Sequence, residues 1–275
     1  MNQDVTEVTL EQEIASADQV PEQLAERDLA RRLDEFAVLL DIDGTLLDLA
    51  PTPREVWVPP DLSKTLNRLL DKTSGAVALV SGRSLNDIDL IFAPEQFPAV
   101  GGHGAEMRLE SDSEAVAIHA PPMDKELKRR LAAIAKLSPG ILLEDKGYSL
   151  ALHYRLAPHA EKAIYAAVSL IRADLPNAPI EVMPGKCVCE IKHSGFNKAS
   201  GVIELMTHEP FKGRRPIFIG DDVTDESVFA IMPDLGGLAF SVGRRAKGVV
   251  SHFDEPRDVR QWLARLVDDN AVAAR

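Results

Sequence analysis

Two clusters of acids carry the chemistry this chain can do. One is Asp41 and Asp43 in Asp41-Ile-Asp-Gly-Thr45, and the other is Asp221, Asp222, Asp225 and Glu226 in the string GDDVTDE. A carboxylate such as Asp41 can bind a hard cation such as Mg2+, or attack phosphorus and form an aspartyl-phosphate. Asp43 can protonate a leaving oxygen and later activate water. The plain alternative is a turn, because Asp and Gly are common where strands end. In the second cluster the four acids fall within six residues. They repel one another unless a cation compensates, which points to Mg2+. Ser81, in Ser81-Gly-Arg83, offers a hydroxyl and neighbouring amides to phosphate oxygens, with a helix N-cap as the alternative. Lys198 can neutralise phosphate as a compact point charge, or can simply lie on the surface. His103 sits among Gly101, Gly102 and Gly104, where backbone can approach a ligand closely.

The elements before these residues explain how they are presented. Phe36 to Leu40 is an unbroken apolar run of strand length, as expected of a strand buried on both faces of a parallel sheet. It ends at Asp41. The apolar run 75–80 ends at Ser81, a third strand ends in the string AVGGHGAE, and 215–220 ends at Asp221. Reactive groups at the carboxyl ends of buried strands are where α/β sheets bind ligands. Helices are expected at about 61–72 and from Lys198 to about 207. A final strand is expected at 237–241 and a final helix at about 256–267.

Residues 120–195 read as a separate α/β unit. A helix at about 123–137, two strands joined near Lys146-Gly147, a helix at about 158–175 and a last strand pair give the order αββαββ. That order suits a four-stranded antiparallel sheet with both helices on one face. Strand alternation places Leu150, Leu152, Tyr154, Cys187, Cys189 and Ile191 towards the helices. It places Glu144, Lys146, His153, Arg155, Lys186 and Glu190 on the open face. Mixed charges there suit a polyhydroxylated ligand, and an ordinary solvated face is the alternative.

Composition narrows the function classes. The chain has 275 residues and a formal charge of -12. That balance argues against non-specific nucleic-acid binding. Residues 1–35 hold ten acids and three bases, and Pro21 to Glu35 reads as a helical extension. An anionic substrate therefore needs a metal and local cations, since the whole-protein field would not attract it. No apolar run approaches the ~20 residues of a membrane span. The N-terminus lacks the regions of a signal peptide, so a cytoplasmic location is expected. The two cysteines, Cys187 and Cys189, suit a buried strand face better than a disulfide or a zinc site.

DIDGT, SGR, Lys198 and GDDVTDE, in that order, resemble the haloacid dehalogenase superfamily across about residues 36–270. The strings GGHGAE, EDKGYSLALHYR, GKCVCEIK and NKA are similar to those of its trehalose-6-phosphate phosphatase family. The resemblance implies a Rossmann-like parallel-sheet α/β core of the haloacid dehalogenase type, 36–119 with 196–275. It also implies an α/β cap at 120–195 that opens to admit sugar and closes to exclude water. It implies Mg2+-dependent hydrolysis of trehalose 6-phosphate, with Asp41 as nucleophile, Asp43 as acid/base, and Ser81 and Lys198 holding the phosphoryl group. Asp41, Asp43, Asp221, Asp222 and Asp225 are implied at or near the metal. Arg83, Gly102, His103, Gly104, Glu144, Lys146, Arg155 and Glu190 are implied at the substrate. A small sugar phosphate is the implied ligand, with trehalose-phosphate synthase as a candidate partner and neither nucleic acid nor membrane. Related substrates, such as sucrose 6-phosphate or a glycosyl-glycerate phosphate, are the alternatives. Outside enzymes, the alternative is a catalytically spent sugar-binding regulatory module.

Overall fold

The protein is described by a computed structural model covering residues 28–50, 55–111, 113, 117–118, 120, 122–185 and 187–268. The chain divides into two compact units, one formed up to residue 117 and from 197 onwards, the other by 118–196.

The first unit is built on a sheet with the order β12-β11-β10-β1-β2-β3-β4-β5. The strands are β1 (Phe36–Leu40), β2 (Val77–Val80), β3 (Ala99–Gly101), β4 (Glu106–Arg108) and β5 (Ala117–Ile118), followed later by β10 (Arg215–Gly220), β11 (Leu238–Val242) and β12 (Ser251–Phe253). Neighbours from β12 through β3 pair in parallel, and β3 with β4 antiparallel. The apolar run of β1 follows from this position. Val38 and Leu40 enter one buried cluster, and Ala37 and Leu39 enter the other, on the opposite face. Helices α1 (Leu62–Lys72), α2 (Leu85–Phe92), α5 (Lys198–Leu205), α6 (Glu226–Ile231) and α7 (Pro256–Leu266) belong to this unit.

Of the expected Pro21 to Glu35 helix, residues 21–27 lie outside the described residues; 28–31 are helical and Leu33–Glu35 form a 3-10 turn. Leu29 and Leu33 are buried in the core. The third strand ends within the AVGGHGAE string as expected: β3 gives way to a 3-10 turn at Gly102–Gly104, and the chain returns as β4.

The second unit has a four-stranded sheet, order β6-β7-β9-β8, formed by β6 (Leu142–Asp145), β7 (Ser149–His153), β8 (Ile180–Gly185) and β9 (Val188–His193). All its pairings are antiparallel. Helices α3 (Lys125–Ala132) and α4 (Glu161–Asp174) supply Leu127, Leu131, Ile164 and Val168 to a core with Leu150, Leu152, Cys189 and Ile191. One face expected from alternation is corrected here. β7 ends at His153, so Arg155 lies in an exposed turn and not on a strand face. Cys187 stands in the β8–β9 turn at φ 60, before β9 begins at Val188, yet it packs against the helix-side core as expected. Lys186 lies outside the described residues.

Candidate active site

Asp41 follows β1 directly, and its backbone N–H bonds to Ile219 of β10, 2.9 Å away. This register sets the end of β1 beside the end of β10, so Asp41 and the Asp221 segment converge. One carboxylate oxygen each from Asp41, Asp221 and Asp225 lies within 4.8 Å of the others. Gly44 closes the turn after Asp43 at φ 80, and a β-carbon there would lie 2.0 Å from Asp221 Oδ2. Only glycine admits both the backbone angle and the approach of that carboxylate.

Lys198, the first residue of α5, is buried between two of these acids. Its ammonium donates to Asp41 Oδ1 and Asp225 Oδ1, both at 2.7 Å. The other oxygen of Asp225 accepts the backbone N–H groups of Asp221 and Asp222, each at 3.0 Å. Asp225 is fully buried and accepts these three donors, so it holds both the lysine and the loop that carries Asp221. The Thr45 hydroxyl lies 3.3 Å from an Asp41 oxygen and 3.4 Å from one of Asp221.

Three carboxylates thus share one ammonium. Burial pushes the Asp41 carboxyl well above its ordinary range; Asp225 and Asp221 add to this and Lys198 opposes it. Asp221 is also raised, first by burial and then by Asp225. Burial works against the Lys198 ammonium, but Asp41 and Asp225 outweigh it and hold its pKa above the usual lysine value. An all-oxygen donor set with excess negative charge fits a hard divalent cation such as Mg2+.

Asp43 points elsewhere. Both its oxygens accept from Arg83, from Nε and Nη2, at 2.6 Å each. Ser81 is buried, and its hydroxyl accepts the Arg83 backbone N–H at 3.2 Å. His103 adopts φ 57, donates its backbone N–H to the Ser81 carbonyl at 3.1 Å, and lays its ring against Gly82. The Ser81 to Arg83 segment and the Gly102 to Gly104 turn are thereby joined. The structure does not bring Asp222 to the three-acid cluster. Its carboxylate is exposed and caps the following 3-10 turn at Val223 N–H, 2.7 Å away.

In the second unit, register places Glu144 and Glu190 on either side of Ala151. Glu190 accepts the Ser149 hydroxyl at 2.9 Å, with Lys146 Nζ at 3.6 Å. Glu144 pairs with His153 at 2.9 Å. These groups form an open polar face around a small residue, able both to donate and to accept.

Sequence reasoning passed over Thr45 and Ser149. Thr45 carried a signal in the Asp-Gly-Thr string. Ser149 carried one in its place two residues before Ala151 on the same strand face.

A family profile described as trehalose-phosphatase matches residues 39–256. The chain is 44% identical over 217 residues to a probable trehalose-phosphate phosphatase of Sinorhizobium fredii, covering 78% of this chain and 80% of that protein. It is 37% identical over 233 residues to the trehalose-6-phosphate phosphatase of Escherichia coli, covering 84% and 86%. Its fold matches the C-terminal domain of the C. albicans trehalose-6-phosphate phosphatase with a TM-score of 0.71 at 20% identity, over 91% of this chain and 98% of that one.

Proposed function

We propose that this chain, which belongs to the trehalose-phosphatase family, hydrolyses trehalose 6-phosphate to trehalose and phosphate through an aspartyl-phosphate on Asp41. The observation that carries the reading is Lys198, bonded to both Asp41 and Asp225 at 2.7 Å with Asp221 alongside. On this reading an attacking carboxylate, a cation for the phosphoryl oxygens and a site for a divalent metal meet where the ends of β1 and β10 and the start of α5 converge. The substrate class follows from the family.

Asp41 attacks phosphorus in line. Its oxygen–phosphorus bond forms as the bond from phosphorus to sugar O6 breaks, and Asp43 gives O6 its proton. Water then attacks the phosphorus, Asp43 takes the water's proton, and Asp41 is released with phosphate. Ser81 and Lys198 orient and neutralise the transferring group. Mg2+, held by Asp41, Asp221 and the Asp43 carbonyl with Asp225 close by, would balance the remaining phosphate charge, which is most of what phosphoryl transfer requires. Either role of Asp43, acid or base, requires Arg83 to free one of its oxygens, and an arriving anion gives the guanidinium another partner. Gly102, His103 and Gly104 contribute backbone near the sugar, and Glu144, Lys146, Arg155 and Glu190 contribute contacts to its hydroxyls.

The test is phosphate release from trehalose 6-phosphate, sucrose 6-phosphate, glucose 6-phosphate and p-nitrophenyl phosphate, each with Mg2+ and with excess chelator. The reading expects trehalose 6-phosphate to be preferred and chelator to abolish turnover. A preference for sucrose 6-phosphate would overturn the substrate. Full activity in chelator would overturn the metal. No release from any substrate would favour the spent sugar-binding module.

A further inference from the structure

Lys192 is a lysine almost without access to water, at 3% exposure. An ammonium is costly to bury unless it is paired and hydrogen-bonded. This one donates to the backbone carbonyl of Phe196 at 2.6 Å, lies 2.9 Å from Glu181 Oε2, and sits 5.0 Å from the centroid of the Phe196 ring. The proposed chemistry does not use it. Phe196 is also met edge-on by Tyr148 at 5.8 Å and stacked by His193 at 6.3 Å. Between them, Ser194 N–H bonds to the Pro179 carbonyl at 2.7 Å and Gly195 N–H to His193 Nδ1 at 2.9 Å. The second unit therefore holds the chain firmly up to its last residue, Phe196.

The first unit takes over at the next residue. Asn197 Oδ1 accepts Ser200 N–H and the Ser200 hydroxyl oxygen accepts Asn197 N–H, both at 2.9 Å. Gly104 packs against the Asn197 carbonyl so closely that a β-carbon would lie 2.1 Å from it. Two clamps thus meet at one peptide link, immediately before Lys198.

We infer that Lys192 is a positioning residue. Through Phe196 it confines the torsional freedom between the units at this crossing to the Phe196–Asn197 junction. A swivel of few torsions leaves few orientations of one unit to the other. If the clamp frays, the freedom spreads over residues 193–197 and a smaller fraction of orientations is productive. The effect on turnover rests on the phosphatase reading, whereas the clamp does not.

Hydrogen exchange on the full chain tests the clamp directly. Lys192→Met keeps the stem and removes the charge, and Lys192→Arg restores a cation. In Lys192→Met, exchange of the 194–197 amides should rise about tenfold or more, with residues 36–42 unchanged, and Lys192→Arg should recover part of the protection. In the same variant, kcat/KM for trehalose 6-phosphate should fall about tenfold while p-nitrophenyl phosphate, which makes no sugar contacts, stays within about twofold. Unchanged exchange at 194–197 in a folded Lys192→Met protein would overturn the clamp. Equal loss on both substrates would overturn the positioning role. If the wild type leaves trehalose 6-phosphate untouched, the phosphatase reading fails and the exchange result alone decides the clamp. Should Lys192→Met fail to fold, Phe196→Leu removes the ring from the same clamp and is read the same way.

Discussion

Asp221→Asn should stabilise the metal-free protein while disabling it. Asparagine has the shape of aspartate and can still accept from the Thr45 hydroxyl, now 3.4 Å away. What it removes is one charge from three carboxylates whose oxygens lie within 4.8 Å. At that separation and an effective dielectric near 20, one like-charge pair costs about 3 kcal/mol. The Lys198 ammonium offsets part of this, leaving a net relief of about 1–2 kcal/mol, or about 2–8 °C in Tm for a protein of this size. The pH dependence follows from the raised Asp221 carboxyl. Below the pKa of the unfolded chain the acid is protonated in both states and costs nothing. As pH rises through the folded-state value, the native protein must ionise it against its neighbours, and stability is lost. The Tm advantage of the variant in chelator should therefore be absent below the ordinary aspartate range and grow as pH rises above it. Saturating Mg2+ should reverse the order, since binding at about 100 times Kd adds about 2.7 kcal/mol to whichever protein retains the site. Calorimetry in chelator and in Mg2+ measures both effects. A variant less stable than wild type in chelator, with both proteins gaining equally from Mg2+, would refute the electrostatic account of the cluster.

Three further outcomes follow from the same geometry. Asp41→Asn should lower kcat about 10^3-fold or more, since on the proposed mechanism it removes the attacking charge and a metal ligand together; a steady-state assay on material free of wild-type enzyme checks this, and substantial turnover would end the assignment. Gly44→Ala should cost about 1–2 kcal/mol from the positive φ alone, with Asp221 displaced as well, seen as a Tm drop of about 2–8 °C or more and weaker Mg2+ binding in titration calorimetry. Glu190→Ala strands the Ser149 hydroxyl and Lys146, so kcat/KM for trehalose 6-phosphate should fall about 10- to 100-fold, far more than for p-nitrophenyl phosphate; equal losses would show that Glu190 supports the fold.

How far the sequence alone could carry this site depends on what holds each residue in place. Asp41, Ser81 and Asp221 were legible because each follows an unbroken apolar run, and a strand buried on both faces must run straight to its end. Lys198 was legible by its order in the chain, but not its sharing between Asp41 and Asp225, which depends on helix α5 meeting two strand ends. The pairing of Asp43 with Arg83 spans forty residues and leaves no local trace. Strands β4, β5 and β12 have two or three residues each, too few for any periodicity to show.

Alternation, the only guide on the second unit's sheet, failed where the strands stopped. It carried Arg155 onto a face although β7 ends two residues earlier, at the turn where Tyr154 N–H bonds to the Cys187 carbonyl. The same period two along β9 puts Lys192 on the face of Glu190, across from Ser149. A face assignment states direction and not depth. Lys192 is buried because Phe196 folds back over it, and that contact belongs to the chain leaving the strand. Strand period therefore gives the face of each side chain, while the Phe196 contact that buries Lys192 lies beyond the strand exit, where the period gives no information.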